Sequence, residues 1–384
     1  MTRQPSRAPR TDGVDARRSG RSRCFGRPRI GLRGAPWLCA CAALCAAAAL
    51  LQPAPSRADG GQKPRSSRKA DQTPQRSPAD ERLLEAVRTG DAHGAAVALQ
   101  NGADAGARDD TGTPAIVRAA SQGRADLVRL LLDHKADRNA SSWYGKLAIT
   151  EAARGGFLDV VKLLLDTPGR VEMRDSSHST PLILAAAGGH EALVAFLLAR
   201  QASVKAVDDS GATALIVAAE HGHGRVCEML LERKADIEAA DRFGRTALMR
   251  AAANAHERVA KLLIERRANV RATAKDNGTA LHDAVVGLSM VSADLRARRI
   301  GILDLLFEHG ARVDARRDDG STALMEAAEA GCADLVRYLL DKQANPDIVD
   351  SQGNTALDRA ILRQRTDVQA LLRPVTTRKP RGSA

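Results

Sequence analysis

Aromatic side chains are nearly missing from this chain: 2% of 384 residues, comprising two Trp, two Tyr and five Phe. A ring-based core is excluded. Apolar residues still reach 44%, carried by alanine and leucine, which favours thin, closely stacked helices over a broad sheet. Cysteine is equally scarce where a fold can form. Cys24, Cys39, Cys41 and Cys45 sit in the N-terminal segment, leaving only Cys227 and Cys332. Those two lie three repeat lengths apart, about 30 Å at about 10 Å per helix layer, far beyond a disulfide. Both read as small core thiols. Also missing are a phosphate-cradling glycine loop, a Cys-x-x-Cys pair and any Ser/His/Asp or Cys/His set. His221-Gly222-His223 offers two imidazoles but no third ligand, where zinc needs three or four converging. The sequence therefore predicts no enzyme, no catalytic residue, no cofactor and no metal.

A one-signed charge is missing from the fold as well, although the chain carries +12. Residues 1–78 hold 16 Lys/Arg against 4 Asp/Glu, and residues 373–384 hold 4 against none. Between them 38 basic residues face 42 acidic ones, a net of −4. A slightly acidic body with basic ends predicts targeting or solvation by the ends, not nucleic-acid binding.

The ends are distinctive. Residues 1–34 carry ten Arg and two Asp, whereas residues 35–51 carry no charge. Pro53 and Pro55 follow, and Ser56-Arg57-Ala58 places small residues at −3 and −1 of a cut. Residues 1–58 thus read as a basic leader of secretory type, with export to the periplasm or beyond and a mature chain from Asp59. Seventeen uncharged residues also reach the lower limit for spanning a bilayer. The alternative is an uncleaved inner-membrane anchor with the body outside the cytoplasm. The Arg/Ala-rich composition points to a bacterial source. Residues 59–78, rich in Pro, Gly, Ser and charge, predict a disordered linker, and residues 374–384 a basic disordered tail.

What the middle has is a period. Gly90, Gly123, Gly156, Gly189 and Gly222 fall 33 residues apart, as do the doublets Leu131-Leu132, Leu164-Leu165, Leu197-Leu198 and Leu230-Leu231. Thr180, Thr213, Thr246 and Thr279 keep the same step, and Thr322 and Thr355 resume it. In Ser210-Gly211-Ala212-Thr213-Ala214-Leu215-Ile216-Val217-Ala218-Ala219, Gly211 permits a tight turn and Thr213 caps the helix that follows. Ala218 and Ala219 allow close helix approach, and Gly222 ends the helix in the left-handed conformation. One helix pair this small cannot bury its apolar face alone, but stacked neighbours can.

Thr180-Pro181-Leu182-Ile183-Leu184-Ala185-Ala186, Thr246-Ala247-Leu248-Met249-Arg250-Ala251-Ala252 and Thr322-Ala323-Leu324-Met325-Glu326-Ala327-Ala328 resemble the hallmark of the ankyrin repeat. The resemblance covers residues 79–373, about nine repeats. It implies an all-α solenoid of stacked antiparallel helix pairs with short β-hairpin-like fingers, monomeric, with a concave groove that grips partner proteins. Nine layers would make that groove about 90 Å long. Three departures stand out. Lys135, Pro168, Gln201, Lys234, Arg267 and Gln343 replace the family's glycine after the second helix. Gly169 could take over from Pro168; the other five, if left-handed, cost about 1 kcal/mol each. The family histidine after leucine survives only as His282. Finally, Thr279 to Thr322 is ten residues too long, with the excess near 288–299, where Arg296, Arg298 and Arg299 predict a basic bump opposite the finger tips. A tolerated insertion is the favoured reading over a docking feature.

The resemblance places partner contacts at the finger tips: Asp110-Thr111, Trp143-Tyr144, Ser176-Ser177, Asp209-Ser210, Arg242-Phe243, Lys275-Asp276, Asp318-Asp319 and Ser351-Gln352. Trp143 and Tyr144 are rings where most units place small or charged residues, and Arg242, Phe243 and Arg245 form a second candidate, since aromatics and Arg dominate interface hot spots. Packing of a ring on the neighbouring finger is the competing explanation. The expected function is a non-catalytic protein–protein interaction scaffold outside the cytoplasm. The alternatives are a secreted effector that inhibits a host enzyme and a membrane-tethered assembly scaffold.

Overall fold

A computed structural model of the chain describes residues 76–165, 168–285 and 293–378. The leader with its apolar run 35–51 lies outside the described residues. So do the linker up to residue 75, residues 286–292 of the insertion and residues 379–384 of the tail.

Eighteen α-helices form nine consecutive antiparallel pairs among the described residues. The first five pairs are α1 (Pro78–Thr89) and α2 (Ala92–Gln100), α3 (Ala115–Ser121) and α4 (Ala125–Asp133), α5 (Ala148–Arg154) and α6 (Leu158–Leu164), α7 (Pro181–Ala187) and α8 (Glu191–Ala199), and α9 (Ala214–Glu220) and α10 (Gly224–Glu232). The remaining four are α11 (Ala247–Ala253) and α12 (Glu257–Glu265), α13 (Ala280–Val285) and α14 (Ala293–Glu308), α15 (Ala323–Ala330) and α16 (Ala333–Asp341), and α17 (Ala356–Leu362) and α18 (Thr366–Leu372). First helices stack on first helices and second helices run alongside, so one apolar core continues from Leu83 to Leu372. Paired alanines at the first-helix contacts, such as Ala152-Ala153, Ala185-Ala186 and Ala218-Ala219, are fully buried and let the backbones approach.

Local chemistry sets each boundary. The hydroxyls of Thr180, Thr213, Thr246 and Thr322 accept from the N–H three residues on, at 3.4 Å. In the seventh unit His282, buried and pushed down to about 4 by that burial, accepts the Thr279 N–H on Nδ1 at 3.2 Å. Six first helices end at left-handed glycines, with Ala255 and Gln364 left-handed in that place after α11 and α17, and Gly123, Gly156, Gly189 and Gly222 also seat a ring from the next unit. A Cβ on Gly189 would lie 2.4 Å from the His223 imidazole, and one on Gly222 would lie 2.5 Å from His256.

Lys135, Gln201, Lys234, Arg267 and Gln343 all adopt the left-handed conformation, with φ between 60° and 68°. The repeat geometry overrides their preference. At the Pro168 step the chain instead makes a 3-10 turn, Pro168–Glu172, against α7.

The insertion lengthens a helix. α14 has 16 residues where most second helices have nine. Arg299 is not part of an exposed bump: it is 5% exposed, and it donates to Ala284 O at 2.7 Å and Ala253 O at 3.1 Å. Ala253 O is the counterpart of the carbonyls that accept from His190, His223 and His256 Nε2 in earlier steps, namely Arg154, Ala187 and Glu220. Arg296 and Arg298 are exposed. Cys227 is buried, with its thiol pushed up to about 12 by desolvation, whereas Cys332 is half-buried at the start of α16 rather than in the core. Residues 374–378 are held against the last unit, with Thr377 and Arg378 donating backbone N–H to Asp347 Oδ1.

Candidate functional site

Eight turns between the pairs project as fingers. Most of them close around a carboxylate at the base. Asp109 Oδ1 accepts from the N–H of Thr111 and Thr113 at 2.9 and 3.0 Å. Asp175, Asp208, Asp241 and Asp350 do the same two and four residues on. Isolated antiparallel bridges such as Val207–Thr213 and Ala240–Thr246 form the stems. These features make the fingers hairpin-like without regular strands.

Successive fingers are tied tip to tip. Ser176, Asp209, Arg242, Lys275, Asp318 and Ser351 each donate a backbone N–H to a carbonyl on the preceding tip, at 2.7–3.2 Å. The first and second fingers are joined differently. Arg108 donates to Ser141 O at 2.7 Å, and the Trp143 indole lies flat over Gly112, where an added Cβ would be 2.0 Å from the ring. The row is therefore a braced edge whose tips hold fixed spacing.

Charge at the finger bases is ordered too. For three of the aspartate bases a partner of opposite sign stands nine residues on, on the first helix: Arg118 for Asp109 at 2.5 Å, Arg250 for Asp241, and Arg359 for Asp350 at 2.9 Å. Burial raises the Asp109 carboxyl, but Arg118, the Thr111 hydroxyl and two backbone N–H groups outweigh it and hold the group near 2. In the seventh finger the signs are exchanged, with Arg317 at the base and Glu326 on α15 at 2.8 Å. Burial dominates there and pushes Glu326 up to about 7 against the pull of Arg317. Asp283, similarly raised by burial, bridges Arg245 at 2.9 Å and Arg317 at 3.4 Å.

A family model described as ankyrin repeats (three copies) matches residues 83–175, 168–241, 235–296 and 290–379. The chain belongs to the ankyrin-repeat family. Ankyrin repeats generally mediate protein–protein interaction and typically act without catalysis, so the fingers and the adjoining first helices are where chemistry with a partner is to be sought.

The residues singled out from the sequence divide in this ankyrin array. Trp143, Tyr144 and Phe243 are 71%, 70% and 63% exposed, and they are the only exposed aromatics among the described residues. Trp143 both packs on a neighbouring finger and keeps most of its surface free, so the two readings of it coexist. Arg242 is exposed on its tip. Arg245 is not offered outward: its guanidinium is spent on buried Asp283. The histidines of the His221-Gly222-His223 run stack at 6.2 Å, with His221 Nδ1 and His223 Nε2 donating to Val217 O and Ala187 O. Sequence reasoning missed the base-to-helix ion pairs. Their nine-residue spacing was a readable signal.

Proposed function

We propose that this ankyrin array is a non-catalytic scaffold that holds a partner protein outside the cytoplasm, gripping it along the second to fifth fingers. The observation that carries the reading is the placement of every exposed aromatic of the described residues on those tips. Large rings left in water lose apolar burial that a partner would restore, and aromatic and Arg side chains are the usual anchors of interfaces. Bracing of the tips lowers the ordering cost of association. Arg245 supports the fifth finger from behind through Asp283. Export is supported by the basic residues 1–34, the uncharged run 35–51 and the small residues Ser56 and Ala58.

Recovery of partners on the immobilised chain tests the surface. Trp143→Ala with Tyr144→Ala, and Arg242→Ala with Phe243→Ala, are each expected to lower recovery at least tenfold while an outer-helix variant, Arg129→Ala, leaves it unchanged. Equal recovery across all of them would remove the assignment. N-terminal sequencing after fractionation tests export: recovery from Asp59 fits cleavage, and cytoplasmic recovery of the intact chain contradicts it. Retention at full length in the membrane favours a tethered scaffold, the second reading suggested by seventeen uncharged residues.

A further inference from the structure

The eight positions nine residues past the finger bases line the floor beneath the tips. Six are charged: Arg118, Glu151, Arg250, Asp283, Glu326 and Arg359. Two are not. Leu184, buried on α7, and Val217, half-buried on α9, follow the third and fourth fingers. Those two fingers lie between the aromatic second and fifth, and their tips are small: Ser176-Ser177 and Asp209-Ser210. The single carboxylate among those tips, Asp209, is engaged by His178 Nδ1 at 2.8 Å. Glu220 stands at the far end of α9, a helix length of about 10 Å from the stem.

The charge changes at the fifth and sixth fingers. Arg242 and Lys275 are exposed on adjacent tips, and no carboxylate lies within ion-pair distance of either among the described residues. The neighbouring cations Arg245, Arg250 and Arg317 are already paired. The window thus runs from rings, across two floor positions without charge (Leu184 and Val217), to two cations with no carboxylate in ion-pair distance among the described residues.

Resting on the reading of this face as the partner surface, we propose that the partner enters as a peptide segment with an apolar or aromatic anchor at the second finger and one or more carboxylates at the fifth and sixth. Three layers of about 10 Å separate the anchors, which an extended segment of about nine residues spans. Charge complementarity selects the carboxylate end: Arg242 and Lys275 lose little by pairing at an exposed site, and a basic segment would be repelled there. Polyanions are disfavoured by the acidic seventh finger, Asp318-Asp319, that follows.

The test is selection of a random twelve-residue peptide display library on the full chain, followed by fluorescence anisotropy with the enriched peptides. Enrichment of sequences that pair an apolar or aromatic residue with Asp or Glu is expected. Arg242→Glu with Lys275→Glu should weaken their binding at least tenfold, with raised salt doing the same to the wild type. Arg129→Glu on α4 with Arg266→Glu just past the end of α12, both exposed, should leave it unchanged. All variants are checked for an unaltered helical spectrum. Enriched peptides without acidic residues, or indifferent to the Arg242/Lys275 reversal, overturn the inference while leaving the partner face standing. Peptides that also ignore Trp143→Ala with Tyr144→Ala remove that face as well, and so does a library that yields none. Tighter binding of a single-stranded oligothymidine than of any peptide would point to nucleic acid and defeat the proposal.

Discussion

Arg317 and Glu326 make the contact that Asp109 and Arg118 make six fingers earlier, with the charges exchanged: 2.8 Å in one case, 2.5 Å in the other. Where both positions are charged, the geometry of the finger base accepts either order of signs. The consequence is electrostatic. Asp109 is stabilised as an anion, whereas Glu326, deeper and crowded by Asp283, is pushed the other way.

Glu326 therefore makes stability depend on pH near neutrality. Its folded value of about 7 exceeds the ordinary 4.5, so the folded chain holds a proton that the unfolded chain has released. The contribution is full below about 4.5 and is lost as pH rises through about 7, amounting to at most about 3 kcal/mol. Urea midpoints from pH 5 to pH 8 should fall more steeply for the wild type than for Glu326→Gln. Parallel profiles would show that the carboxyl titrates normally.

Asp109 acts in the opposite sense. Held near 2 against an ordinary 3.8, it contributes stability above about 3.8 that disappears as pH falls through about 2. Asp109→Asn keeps an acceptor for the turn but loses the ion pair with Arg118. A cost of about 1–2 kcal/mol at pH 7, shrinking towards zero at pH 2, is expected in denaturant titrations.

Each left-handed non-glycine at a second-helix end is a reserve of stability. Replacing exposed Lys135, Lys234 or Gln343 by Gly should raise the unfolding free energy by about 0.5–1 kcal/mol per site in urea titrations, since relief of the Cβ clash exceeds the added chain entropy. No gain from any of the three would mean that local contacts already compensate the strain.

Arg299 and Arg296 should behave differently although they are near neighbours on α14. Arg299→Ala leaves Ala284 O and Ala253 O without their donor and should cost about 2–3 kcal/mol. Arg296→Ala removes only a 4.0 Å surface pair with Asp334 and should cost less than about 0.5 kcal/mol. Thermal melts of the two variants distinguish an inward arginine from an outward one.

Much of this was legible in the chain. The 33-residue period located eight fingers and nine helix pairs because most units repeat a capping threonine, an alanine contact and a left-handed stop. The tip residues Trp143, Tyr144, Arg242 and Phe243 were readable for the same reason, since register alone puts them at the turns. Arg245 and Arg299 were not. Each lies among other basic residues, and sequence offers no means of telling a solvated guanidinium from one that reaches a carboxylate or carbonyl in a neighbouring unit.

The sequence by itself determined the stacking unit, its boundaries and the order of side chains along the finger row, because those depend on contacts within about 33 residues and recur with the period. Only the tertiary structure decided which charges are consumed in pairing and which stay free. Ion pairs such as Arg245–Asp283–Arg317 join separate units, and their strength is set by burial, which arises only once neighbouring layers close over them.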